Sequence, residues 1–556
     1  MAAWPDESGK GDALHATSDV RLSLRGGTGA VASIWSAPLR RSATALLLAR
    51  LVSALTTLVV LAFLSRSRGL DALGIGSIGV VTGTLLAAVA EAGTNSLATR
   101  EIARSRQEGA RLLSGIVVLR AVLLPVVVVV SVPLFRLLFG SIGDQVFMFA
   151  LAFVIQQEAE LARAVLLAVN RPYLIAVHYA VENLVWAAAI IFALAVGADL
   201  FTAALAGTVV MALSVVVGAY LAVVYGVRPA RITGPACRSA IELGLPFAAY
   251  SLVTVAALRL DTVLVGLLVP SGIAAAGAYF AATRLMASAE YIPEAIGRAA
   301  FPDLARRLAP TAGKTANVMR PATRDLLLIA LPMPIALAIG GSAVLPIVFG
   351  PELAPYSWIL VVLGFMIPAR FLVILFGVAL TSGNAQGRRA AITGLAVLVG
   401  QGMNLLLLPV IGVPEAVLGS IVTTCMLLIP YAREVRHRFG MPVRPRDVIA
   451  PLVCSCVAAV PALACQAVLP NRDSHMGLAA TLLVYGIAYV SLILVLRRHG
   501  RLRAGPKRDG EILSPREREI DGVERRAEQK WEGPVRSASD GEELLRAADA
   551  LPSVRP

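Results

Sequence analysis

The sequence predicts an all-α polytopic membrane protein: two pseudo-symmetric six-helix lobes plus two extra helices, about fourteen crossings in all. Three observations predict it. Apolar residues make up 57% of the 556 residues and charged residues only 15%, where a soluble domain has about 45–50% and about 25%; mean hydropathy is +0.75. The stretch EAGTNSLATREIAR from Glu91 returns as EAIGRAAFPDLARR from Glu294, each time at the end of a long apolar segment, with Arg104 falling opposite Arg307. Finally, the basic residues alternate from one connection to the next, as a chain threaded back and forth through a bilayer requires.

A crossing helix needs about 20 mainly apolar residues. Such stretches run over 43–63, 73–92, 113–138, 145–169, 173–196 and 201–225, then over 243–268, 273–296, 326–349, 356–380, 390–411 and 413–431, with a final pair at 448–469 and 476–496. Every even connection is basic: Arg100, Arg104, Arg106 and Arg111 in the first, Arg171 in the next, and so on to Arg433, Arg436, Arg438, Arg444 and Arg446. The odd connections carry only Arg66, Arg68 and Arg472. Arginine and lysine mark the cytoplasmic side, so both termini are predicted to be cytoplasmic. One helix missed or invented would invert every later connection. The outer connections are short, built around residues such as Asp144, Asp199 and Pro270, and leave no room for an external catalytic domain.

The domain organisation follows. Residues 1–42 form a polar cytoplasmic tail with no cleavable signal pattern, 43–230 the N-lobe, 231–440 the C-lobe and 441–496 the added pair. Residues 497–556 alternate acidic and basic (PREREIDGVERRAEQK), which cannot bury enough apolar surface to fold alone, so both tails are expected to be disordered. The repeat extends beyond its first motif, since Asn170 after the fourth segment corresponds to Asn384 after the tenth. Six crossings per unit return the chain to its starting side, giving parallel lobes related by an axis along the membrane normal. The net charge of +14 lies in short loops, which argues against nucleic acid. Of the five cysteines, Cys454 and Cys456 are two apart and point to different helix faces, so neither a zinc site nor a disulfide framework is expected.

Five pieces in order carry a family resemblance over residues 42–438: LARLVSALTTLVVLAFLSRSRGLDALGIGSIGV, AEAGTNSLATREIAR, ELGLPFAAYSLVTVAALRLDTVLVG, YFAATRLMASAEYIPEAIGRAAFPDLAR and NLLLLPVIGVPEAVLGSIVTT. Together they resemble the polysaccharide-transporter branch of the multidrug/oligosaccharidyl-lipid/polysaccharide exporter superfamily, whose members include O-antigen and lipid II flippases. The resemblance implies a V-shaped two-lobed bundle with alternating access to a central cavity. It implies as cargo a polyprenyl-diphosphate-linked sugar chain, handled in the bacterial plasma membrane alongside polysaccharide assembly proteins.

The deep charges point to the site independently. An ionisable side chain at the centre of a spanning helix costs about 2.5–3.5 kcal/mol on insertion scales, so buried arginines need a reason. Arg50, Arg259, Arg284 and Arg370 are the substrate-binding candidates; Arg284 and Arg370 lie roughly 15–20 Å into their helices, too deep to snorkel. Arginine holds its charge when partly desolvated and binds phosphate oxygens in pairs, which suits a diphosphate crossing a low-dielectric slab. Pairing with carboxylates on neighbouring helices is the competing role. Uphill cycling needs a coupling ion, H+ or Na+, for which Asp261 is the first candidate and Glu290 and Glu294 the alternatives; the two glutamates also mark the inner end of their helix. No other cofactor is implied. Glu160 with Arg163 and His178 with Glu182 are spaced to screen each other. Arg136 is expected to reach outward and Arg120 the inner interface. Pro246, Pro293, Pro332, Pro334 and Pro368 are candidate helix breaks in the second lobe.

Transport of a lipid-linked oligosaccharide, with no covalent step, is the reading these residues favour. A drug or metabolite cation antiporter of the same superfamily would have a more acidic or aromatic cavity. A membrane polysaccharide polymerase or ligase would carry a sizeable outer loop with catalytic charge.

Overall fold

The computed structural model describes residues 37–294, 296–297, 319–382, 385–440, 443–468 and 475–498. Residues from 298 into the second copy of the repeated motif, Asn384 and most of both predicted tails lie outside these. Among the described residues the regular elements are helices: α1 (Ala37–Glu91), α2 (Thr94–Arg104), α3 (Arg106–Phe139), α4 (Gly143–Ala168), α5 (Pro172–Ala195), α6 (Leu200–Tyr225), α7 (Gly234–Leu268), α8 (Gly272–Ala289), α9 (Arg320–Ala330), α10 (Pro332–Phe349), α11 (Ser357–Gly364), α12 (Ile367–Ser382), α13 (Gln386–Ile411), α14 (Val413–Phe439), α15 (Pro445–Val468) and α16 (His475–Arg498), with short 3-10 turns at Gly140–Ile142 and Pro351–Tyr356.

Nine helical stretches among the described residues are long and apolar enough to cross a bilayer, or ten when a bent pair counts as one. Two of the nine hold two predicted segments each. The stretch Leu48–Glu91 has 44 residues, roughly 66 Å at about 1.5 Å per residue and twice a hydrocarbon core. It is divided at Gly69, whose φ of 84° and ψ of −178° leave helical space. The stretch Arg106–Ala168 has 63 residues and is divided by the 3-10 turn at Gly140–Ile142. Helices α7 and α8 cover the predicted segments 243–268 and 273–296 without belonging to the nine.

The breaks have local causes. Asn170 takes a left-handed φ of 57°, which asparagine tolerates, and Arg171 N–H bonds the Leu166 carbonyl at 2.9 Å, closing α4 before Pro172 starts α5. The Asp199 carboxylate caps α6 by accepting from Thr202 N–H at 3.2 Å, and the bonds from Thr202 hold that carboxyl below the usual carboxylate range. Of the prolines, Pro332 opens α10 after the break at Leu331, and Pro368 opens α12 at a 47° bend, whereas α7 runs on through Pro246.

Packing relies on small residues. A Cβ on Gly74 would fall 2.0 Å from the Ile273 carbonyl oxygen, and one on Gly277 would fall 2.7 Å from Gly74 N. The backbones of α1 and α8 therefore approach as closely as small residues allow, the usual basis of helix association where lipid removes the hydrophobic drive. At the predicted outer end, Arg66 donates from Nε to the Val348 carbonyl at 3.1 Å and from a terminal nitrogen to that of Ile347. Glu352 accepts from Leu70 N–H at 2.9 Å, and Arg68 bonds the Ala198 carbonyl at 2.6 Å. Two of the three basic residues that break the loop-charge pattern are thus capping orphan carbonyls at helix ends.

Candidate functional site

Three of the charged residues of the second half, Asp261, Glu290 and Arg370, meet at one cavity of about 150 Å³ bordered by α7, the end of α8, α12, α13 and α14. Asp261 on α7 enters it, held by Tyr279 Oη, which donates to Oδ2 at 2.7 Å, and by Thr262 N–H, which donates to Oδ1 at 2.7 Å. Glu290 and Arg370 lie on the same wall: Arg370 Nη1 donates to Glu290 Oε1 at 2.9 Å, Nη2 donates to Ser420 Oγ at 2.7 Å, and Nε is buried without an acceptor. The rest of the lining is uncharged: polar from Gln401 and Asn404 on α13 and Thr423 and Thr424 on α14, and apolar from Val373, Ile374 and Leu427. Asn404 Oδ1 is buried with no donor, and Asn404 Nδ2 donates to Gln401 Oε1 at 3.3 Å. A carboxylate, an unsatisfied amide oxygen and hydroxyls around a small void form an oxygen-rich setting suited to a proton or a small cation.

The other candidate arginines are arranged differently. Arg50 on α1, Arg259 on α7 and Arg284 on α8 form no ion pair or hydrogen bond among the described residues. Arg284 feels the charge of Arg259 and faces Tyr291 and Tyr179; Tyr179 in turn lies within electrostatic reach of Arg50, Arg163 and Glu160. Tyr179 on α5 thus lies within electrostatic reach both of Arg284 and of Arg50, which is exposed. Arg259 makes no ion pair with Asp261, its neighbour two residues on, in keeping with their different faces, although its charge reaches that carboxylate. Of the four arginines expected to bind substrate, three are unpaired and one, Arg370, is tied to a residue expected to serve ion coupling. Glu294 lies one turn past Glu290, with its N–H bonded to the Glu290 carbonyl at 3.3 Å.

In the first half the buried charges are paired with one another. Arg163, 3% exposed, meets Glu182, fully buried, at 3.0 Å and Glu160 at 3.2 Å. Glu182 also accepts from Gln156 Nε2 at 2.8 Å and from Ser214 Oγ. His178 bridges Arg163 and Ser214 through its two ring nitrogens, each at 3.1 Å. Glu160 and Arg163 pair as their spacing predicts. His178 and Glu182 do not screen each other directly; Arg163 and Ser214 join them.

The repeated motif at Glu91 folds into a second such network. Ala92 and Gly93 take positive φ of 48° and 69°, ending α1 and starting α2 at an angle that lets Gly93 press on α7. A Cβ there would fall 2.4 Å from Ala248 N. Arg120, expected at the interface, is instead 2% exposed. It donates to Thr94 Oγ1 at 2.9 Å, Asn95 Oδ1 at 2.8 Å and the Gln157 carbonyl at 3.0 Å. Two neutral acceptors from the motif, with the Gln157 carbonyl and the Glu158 carboxylate of α4 at 3.5 Å, outbid the route to water. Arg136 behaves as expected, exposed and paired with Asp144 at 2.7 Å.

Residues 39–307 match the family described as polysaccharide biosynthesis protein. Over those residues the chain is similar to that family. Its fold agrees with that of a lipid II flippase, MurJ, in an inward closed conformation, at a TM-score of 0.67 and 12% identity over 83% of this chain and 100% of the other. It also agrees with an inward-facing multidrug resistance transporter of the MATE family, within the same superfamily, at 0.54 and 16% over 70% and 94%. A transporter of that superfamily from Pyrococcus furiosus aligns at 0.50 and 14% over 72% and 95%. No curated protein matches significantly. These likenesses show the fold: an all-α, multi-pass membrane bundle of the kind those transporters share.

Sequence reading missed the neutral half of the cavity. Tyr279, Gln401, Asn404, Ser420, Thr423 and Thr424 each interrupt an apolar run, but single neutral polar residues are common in spanning helices; the bonds of Tyr279 to Asp261 and Ser420 to Arg370, and the shared cavity for the rest, set these apart.

Proposed function

We propose that this protein moves a polyprenyl-diphosphate-linked oligosaccharide across the bacterial plasma membrane by alternating access, for cell-surface polysaccharide assembly. The lobes are 43–230 and 231–440, with 441–496 as an added pair. The chain crosses fourteen times in all, and the tails 1–42 and 497–556 lie in the cytoplasm. The observation that carries the reading is the set of unpaired cations, Arg50, Arg259 and Arg284, of which Arg50 and Arg284 both lie within electrostatic reach of Tyr179. An uncompensated cation at membrane depth is costly, and a diphosphate supplies the missing anion with the geometry a guanidinium fork prefers. The likeness of the fold to a lipid II flippase and the family description support a lipid-linked, saccharide-bearing cargo. Arg370 joins the substrate-binding set when its bond to Glu290 opens. Asp261, with Glu290 and Glu294, takes the coupling ion, H+ or Na+, in the adjoining cavity.

The test is leaflet-resolved translocation of a defined lipid-linked oligosaccharide in proteoliposomes. Arg284→Ala is expected to lower the rate at least about a hundredfold, the scale of losing one desolvated charge contact, with the protein still folded and inserted. Undiminished flux in Arg284→Ala overturns the diphosphate role. Flux of organic cations through the wild type favours the antiporter reading instead.

A further inference from the structure

A second cavity, about 420 Å³, lies between α12 and α14 near the end of α14 and outside the charged sites above. Its floor is apolar: Leu372 and Phe376 from α12 face Leu428 and Ile429 from α14. At its rim stand Arg433 and Arg436. These two are three residues apart and share the helix stripe of Ile429 and Ala432, so apolar floor and basic rim are continuous along one face. Both arginines are exposed, and neither has an ion-pair partner among the described residues. The nearest carboxylate in sequence, Glu434, is already engaged: Arg438 holds it at 2.5 Å and Arg388 at 3.2 Å. A pair of cations closing the end of a hydrocarbon-lined groove, where a spanning helix leaves the membrane, is the arrangement that takes a lipid by headgroup and chain together.

We infer that this groove holds an anionic glycerophospholipid of the surrounding leaflet, with its phosphate on Arg433 and Arg436 and one acyl chain along Leu372, Phe376 and Ile429. Charge complementarity selects the headgroup. Two cations with no facing carboxylate favour a net negative lipid and leave a choline group without a counter-charge. The floor requires the chain, because a soluble phosphate would leave the apolar residues uncovered. The site stands apart from the cargo reading: α12 and α14 also border the first cavity, but no residue lines both.

The experiment is native mass spectrometry of the full chain in detergent, titrated with phosphatidylglycerol or phosphatidylcholine. The wild type is expected to retain phosphatidylglycerol preferentially. Each arginine near a membrane surface contributes about a fivefold factor in anionic-lipid affinity, so Arg433→Gln with Arg436→Gln should lower retention roughly twenty-five-fold. Ala432→Trp, which fills the groove and keeps both arginines, should also lower it, and Arg238→Gln, at the exposed pair with Glu242, should leave it unchanged. Glycerol phosphate, lacking acyl chains, should not compete. Equal retention of the two lipids by the wild type, wild-type preference in the double variant, or effective competition by glycerol phosphate would each overturn the assignment.

Discussion

Arg163 in the first half and Arg284 in the second are both arginines set within apolar helices, yet one is surrounded by acceptors and the other has none. Arg163 meets two glutamates and a histidine; Arg284 meets the like charge of Arg259 and two tyrosines. A cation whose partners are all internal is part of the scaffold, because any ligand must first displace them. A cation left without one is a site kept open at the expense of stability. Under the proposed function, the difference assigns structure to the first half's buried charges and recognition to the second's, with Arg50 as the first half's contribution to recognition.

The largest effect expected from breaking this contrast is at Glu182. Glu182→Gln leaves Arg163 nearly buried with only the half-exposed Glu160 as a counter-charge. Removing one member of a buried pair costs about 3–5 kcal/mol, so thermal unfolding in detergent should occur at a markedly lower temperature. Replacing both Arg163 and Glu182 with methionine should recover most of the loss, because a well-packed apolar pair is often neutral relative to a buried ion pair. If Glu182→Gln unfolds like the wild type, the network is not structural and the contrast fails.

Arg284→Met probes the other side, with a smaller effect of opposite sign. No partner is lost and an uncompensated charge is removed, so stability should rise by about 1–2 kcal/mol while transport is lost. A variant that is both more stable and inactive distinguishes a recognition residue from a structural one. A fall in stability comparable to that of Glu182→Gln would mean that Arg284 has a structural partner after all.

How far the sequence could reveal this division depended on distance along the chain. The spanning segments were legible because length and hydropathy decide them locally, and Glu160 with Arg163 was legible because three residues is one helix turn. Asp261 stood out as a charge in an apolar run. Arg370 and Glu290 are 80 residues apart, so the sequence offers carboxylate pairing as a competing role for Arg370 but no spacing rule that names Glu290 as the partner. The same holds for Arg120, whose acceptors Thr94 and Asn95 belong to the repeated motif but reach it only because Ala92 and Gly93 turn α2 across the bundle. The repeat explained where the chain bends, and the bend explained where Arg120 is buried.

The smallest effect, and the finest test of the comparison, is at the Arg370–Glu290 pair, which is intermediate in both respects. Each side chain is 24% exposed, so solvent screens the pair more than it screens Arg163 with Glu182, and Arg370 keeps Ser420 as an acceptor when the carboxylate is removed. Glu290→Gln should therefore cost only about 1 kcal/mol, well below the loss in Glu182→Gln under the same thermal assay. If exposure and the number of remaining acceptors govern these sites, stability should rank Glu182→Gln lowest, Glu290→Gln next and Arg284→Met highest. A Glu290→Gln loss as large as that of Glu182→Gln would move Arg370 to the structural side and leave Arg50, Arg259 and Arg284 alone to meet the cargo.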